Sequence, residues 1–225
     1  MKTQTIALYA LISTAAFGTP SGLNNIPTAD TVPHRTVAVQ AFSSFGPGVN
    51  QFAANGPDEH SFWMGFKNGW ALEPLHLEWG LDSPLFTERS GPVFFQTKLA
   101  FEPWEKGRIS LGIAGVALTD TALAGDPFSY AVLTHDFGFV RAHVGYGVQT
   151  NGNSVLFGID RTWKLFERNF NLNADLVQAA DESFWLPSVG FKCDLHKNIV
   201  FEWWTNLPEE GDISHVAKIN FVFTF

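Results

Sequence analysis

The sequence predicts an all-β fold: a single antiparallel transmembrane β-barrel of about 12 strands, occupying residues 35–225. Three observations predict it. From Arg35 onward, apolar side chains recur with a period of two, broken at short intervals by clusters of Gly, Pro, Asn and Asp. Only 16% of the 225 residues are charged, against roughly 25% in soluble domains. Some alternating segments also have a wholly polar second face, which a packed soluble core would not contain.

Taken in order, the chain opens with Lys2 followed by "TIALYALISTAAFG", a short apolar stretch with Ala16 and Gly18 at −3/−1 spacing. This reads as a secretory signal over residues 1–18, since no run reaches the roughly 18 apolar residues of a spanning helix. The one cysteine, Cys193, permits no intramolecular disulfide and reads as a small hydrophobe on a strand. Residues 19–34 form a separate N-terminal segment. Pro27 and Pro33 lack ladder donors and resist helix, so it is expected to be extended or turn-like, plugging the lumen or lying in the periplasm, with a flexible leader as the alternative.

Strands are expected at residues 35–44, 60–67, 74–81, 93–102, 108–118, 128–135, 139–149, 154–162, 169–178, 184–194, 199–205 and 214–225. Most approach the roughly 9 to 11 residues that carry a tilted strand across a bilayer. An even number returns both termini to one side. In "PLHLEWGLD", Leu75, Leu77, Trp79 and Leu81 share one face, with His76, Glu78, Gly80 and Asp82 on the other. In the ninth strand, Phe170, Leu172, Ala174 and Leu176 oppose Asn169, Asn171, Asn173 and Asp175. One face suits lipid and the other water.

That alternation assigns to the lumen His76, Glu78, Gln96, Lys98, Arg141, His143, Asp160, Asn171, Asn173, Asp175, Lys192, Glu202, Lys218 and Asn220. Both signs and several amides occur, as in a hydrated interior whose charges pair across it. Aromatics near strand ends, Phe42, Phe45, Trp63, Trp70, Trp79, Phe101, Trp104, Phe139, Trp163, Phe166, Trp185 and Trp203, read as interfacial girdles.

The odd connections hold Asp58, Glu59, Asp82, Glu88, Asp120, Asp126, Asp181, Glu182, Glu209, Glu210 and Asp212 against Arg89 alone. The even ones mix in Lys106, Arg108, Lys164, Arg168 and Lys197. An acidic outer mouth follows, able to gather divalent cations and to enrich cations if the lumen conducts.

No Walker A or dinucleotide-binding pattern calls for a cofactor, and an acidic chain without a basic stripe argues against nucleic acid. His76 and Glu78 at i, i+2 are too few ligands for a metal site. Ser61, His76 and His143 are the residues a barrel-embedded lipid hydrolase would draw on, but no spacing joins them, and the chain reads as a non-enzyme. A barrel of this size is wider than one filled by side chains and narrower than an open porin. The first expectation is a narrow channel or porin for small polar solutes. A non-conducting structural or polysaccharide-export-associated barrel is the alternative.

The tail "KINFVFTF" places Ile219, Phe221, Phe223 and Phe225 on one face and ends there. It resembles the C-terminal targeting strand of Gram-negative outer-membrane β-barrel proteins. The resemblance implies residence in the outer membrane among its lipids, and recognition of Phe221, Phe223 and Phe225 by the barrel insertion machinery. Locally, "SGLNNIPTADTVP" is similar to the opening of YjbH-type outer-membrane proteins associated with exopolysaccharide export. Gly22, Leu23, Asn25, Pro27, Thr28 and Ala29 match, while Ser21, Asn24, Ile26 and Asp30 depart from it.

Overall fold

In the computed structural model, residues 21–46, 60–85, 92–121, 126–150, 152–179, 185–209 and 212–225 are described. The expected signal at residues 1–18 lies outside them. The strands are β1 Thr36–Phe45, β2 His60–Leu72, β3 Leu75–Pro84, β4 Phe94–Trp104, β5 Gly107–Ala117, β6 Phe128–Asp136, β7 Arg141–Gln149, β8 Gly152–Leu165, β9 Arg168–Ala179, β10 Trp185–His196, β11 Ile199–Asn206 and β12 Ser214–Thr224. Each pairs antiparallel with its chain neighbours, and β12 closes on β1 from Thr36↔Thr224 to Phe45↔His215. The final residue adds to the closure, with the Phe225 N–H donating to the Arg35 carbonyl at 3.0 Å.

The period-two pattern is realised around the whole circumference. On the outer face stand Leu99, Leu111, Val144, Ile159, Leu172, Val189 and Phe223, each between 44% and 58% exposed. A continuous apolar wall of this kind, on a sheet with no free edge, suits hydrocarbon rather than water. Trp104, Phe137, Phe139, Trp163 and Phe166 stand exposed at the end carrying the short turns and both strand termini.

Two of the expected girdle aromatics are elsewhere. Phe42 and Trp63 face inward, stacked at 5.7 Å, and with Phe94, Trp204 and Val216 form an apolar cluster inside the barrel. The physical reason is parity: Phe42 shares a face with Gln40, and Trp63 shares one with Lys67, so proximity to a strand end does not make them lipid-facing. Asp82, expected in an outer loop, lies within β3 at 1% exposure, because β3 continues to Pro84. β2 likewise continues past residue 67 to Leu72, pairing with β3 down to Leu75.

Candidate functional site

The lumen holds the N-terminal segment. Residues 21–28 make a tight hairpin in which Leu23 N–H donates to the Ile26 carbonyl at 3.0 Å and Thr28 N–H to that of Ser21 at 3.2 Å. A side chain at Gly22 would meet the Ile26 carbonyl oxygen at 2.2 Å, so the turn requires glycine there. The wall is carved to match: added Cβ atoms would meet Leu23 and Ile26 at Gly158, and Asn24 at Gly190. Leu23 and Ile26 thus pack with Ala114, Tyr130, Val132, Leu156, Val177 and Leu186 as a second interior apolar cluster.

Polar contacts fix the segment at both ends. At its tip, Asp175 Oδ2 accepts the backbone N–H groups of Asn24, Asn25 and Ile26 at 3.0, 2.7 and 3.2 Å. Its Oδ1 accepts from Ser188 and from the Asn25 side-chain amide. Three successive amides aimed at one carboxylate form an anion-binding concavity. Further along, Glu78 accepts the N–H of Ser21 and of Val32, each at 2.7 Å, beside Lys98 at 3.9 Å. Lys98 donates to the carbonyls of Ser21, Thr28 and Asp30.

Asp30, on the segment itself, is paired with Arg141 at 3.0 Å and Arg108 at 3.3 Å. Burial alone would raise its carboxyl pKa, but Arg141, Lys98 and Arg108 outweigh that and hold it below the usual aspartate value. Arg141 also forks onto both oxygens of Asp160. Asp160 in turn is bonded to His143 at 2.9 Å, and the other ring nitrogen of His143 lies 2.8 Å from Thr134 Oγ1. Since Thr134 also accepts the Ala29 N–H at 3.1 Å, this chain of groups is covered by the segment and serves to seat it.

The residues assigned to the lumen fall as follows. Asn171 donates to Asp160 and Thr162, and Asn173 donates to Asn171. Gln96 donates to Asp82 at 2.6 Å, and Gln40 donates to the other oxygen of the same carboxylate. Glu202 gathers Lys192 at 3.5 Å, Lys218 at 3.8 Å and the Asn220 amide at 2.7 Å. His76 stands apart, half-buried opposite Ala71 and Ala100 near the short-turn end. Phe221, Phe223 and Phe225 are exposed on the outer face. Lys67, Asp82, Gln40, Thr134, Ser188 and Asn206 also face inward; parity from Gly65 and Gly69 marks Lys67, and parity from Glu78 marks Asp82.

Between the segment and the β10–β12, β1 and β2 wall lies a cavity of about 240 Å³, lined by Lys67, Lys192, Lys218 and Glu202 among others. Of the hydrolase candidates, Ser61 and His76 lie far apart along the barrel wall. Ser61 pairs opposite Ser44, while His76 pairs opposite Ala71, ten positions further along β2, roughly 30 Å at ~3.3 Å per residue. Of the acidic mouth, Asp58, Glu59, Glu88, Asp181, Glu182 and Glu210 lie outside the described residues. Among the described residues no group of three or more His, Cys, Asp or Glu is arranged to hold a metal ion.

No protein-family model matches this sequence, and no curated protein matches it. In three dimensions it is similar to the KdgM porin, with a TM-score of 0.57 at 8% identity over 83% of this chain and 99% of that one. The NanC porin gives 0.53 at 9% identity, over 81% and 98%. The outer membrane phospholipase A from Escherichia coli gives 0.54 at 7% identity, over 95% and 97%.

The fold is that of an outer-membrane β-barrel. The apolar outer wall described above agrees with that setting, and the channels among these neighbours share the closed antiparallel architecture with this chain.

Proposed function

We propose that the protein is a narrow outer-membrane channel for small polar solutes, with an acidic outer mouth and with residues 21–33 acting as a seated, displaceable plug. One observation carries the reading: besides the apolar packing of Leu23 and Ile26, the plug is held along its length by polar contacts to Asp175, Glu78, Lys98 and the Arg108–Asp30–Arg141 bridge. Such contacts exchange with water, so a solute-filled lumen is an accessible alternative to a plugged one. The barrel wall itself is closed by main-chain ladders that do not depend on the plug.

The non-conducting reading rests on the same plug remaining seated. The lipid-hydrolase reading loses support because Ser61, His76 and His143 are distributed over separate parts of the barrel. Swelling of liposomes carrying the refolded full-length protein in isotonic arabinose separates the first two. Uptake faster than in protein-free liposomes, and faster still for Asp175→Ala, supports the channel; uptake equal to protein-free liposomes for both proteins supports the non-conducting barrel.

A further inference from the structure

We propose that the cavity between the plug and the β10–β2 wall is a binding site for a small molecule bearing a compact oxyanion, a carboxylate or a phosphate, with Lys67 as its principal charge partner. Lys67 is 4% exposed, lines this cavity and, among the described residues, has neither a hydrogen bond nor an ion pair. An ammonium group taken out of water without a partner is costly, so a fold that retains one inside a cavity gains from supplying its counter-ion as a ligand.

The surroundings point to the same sign. Of the other acids lining the cavity, Asp30 is engaged by Arg108 and Arg141, and Asp160 by Arg141 and His143. Glu202 alone faces Lys192 and Lys218, and its nearer distances of 3.5 and 3.8 Å leave both ammonium groups short of a tight hydrogen bond to it. Three lysines on this wall therefore face two carboxylates, Glu202 and Asp82, the latter two residues along β3 from the Gly80 that pairs with Lys67. Asp82 accepts from the neutral amides of Gln40 and Gln96, and Lys192 also donates to the Gly22 carbonyl. The cavity volume of about 240 Å³ accommodates a monosaccharide-sized acid rather than a polymer. Asn220, whose amide N–H donates to Glu202, lines the cavity as a neutral group for a hydroxyl on the same molecule.

The site rests on the channel reading only for its role in transport; binding is independent of conduction. The test is thermal unfolding and titration calorimetry on full-length protein refolded in detergent, with glucuronate, glucose 6-phosphate and neutral glucose as probes. Binding of either or both acids, with glucose inert, is expected; the pattern across the two acids tells carboxylate from phosphate. Lys67→Met should weaken acid binding at least about tenfold. Without ligand it should leave the unfolding temperature unchanged or raised, because Lys67 has no hydrogen bond or close ion pair to lose and an apolar group of similar size replaces a buried charge. A structural role for Lys67 gives the opposite result, a lowered unfolding temperature. Equal binding of glucose, no binding of either acid, or unchanged acid affinity in Lys67→Met overturns the site. A silent bilayer recording alongside acid binding would sink only the channel reading.

Discussion

The Asp175 carboxylate accepts the backbone N–H of Asn25 at 2.7 Å, joining residues 150 positions apart. Two more amides, of Asn24 and Ile26, share the same oxygen, so one wall side chain holds the tip of the plug. Asp175→Ala leaves these buried donors without their acceptor, at a cost of about 1–3 kcal/mol for each buried group. Hydrogen exchange at the amides of residues 23–26 and of Thr28 should accelerate by at least about tenfold while the strand amides stay protected. Unchanged exchange at the tip would mean that Asp175 does not hold the plug.

Acid should release the other anchor. Asp30 has its pKa held below the ordinary aspartate value, with burial opposing and Arg141, Lys98 and Arg108 prevailing. A depressed carboxyl contributes stability that is fully present above the unfolded value of about 3.9 and is lost as pH falls through the folded value. Plug protection should therefore hold from neutral pH to about 4 and decline below that. Asp30→Asn should lower protection near neutral pH and remove the acid-dependent step attributable to this group, as read by exchange across a pH series.

The inner aromatic cluster gives a stability prediction. Trp63 is fully buried at 0% exposure, stacked on Phe42 and 6.0 Å from Phe94 by ring centroids. Trp63→Ala should cost about 3–5 kcal/mol. Urea unfolding in detergent micelles measures it, and a cost near zero would place Trp63 on the lipid face instead.

At the C-terminus, Phe225 packs against Trp70 at 6.3 Å on the outside of the seam, and its backbone caps the closure through Arg35. Phe225→Ser should reduce the amount assembled in the outer membrane, seen as a loss of the heat-modifiable folded band. Wild-type levels would remove the assembly role.

Much of the barrel could be read from local pattern. The Asn169–Asp175 alternation marks β9 because side chains on a strand alternate faces, and turn residues such as Asn198 and Lys197 mark where strands reverse. Parity, followed strictly, also places Trp63, Lys67 and Asp82 inside; treating strand ends as girdles and loops displaced two of them. The plug's seat was not legible in the same way. Ser21 meets Glu78 and Asn25 meets Asp175 through contacts 57 and 150 positions apart, which no short-range spacing encodes. The cavity, and the placement of Lys67 on its wall, likewise arise only when β2, β11 and β12 close around the segment.

A lumen that conducts, restricted by its own N-terminal segment, is open to direct electrical measurement. Planar-bilayer recording of full-length refolded protein beside Asp175→Ala tests it most directly. Small discrete conductance steps are expected for the unaltered protein, and larger or longer-lived ones for the variant. Two heat-modifiable, folded proteins that both leave the bilayer silent would contradict it.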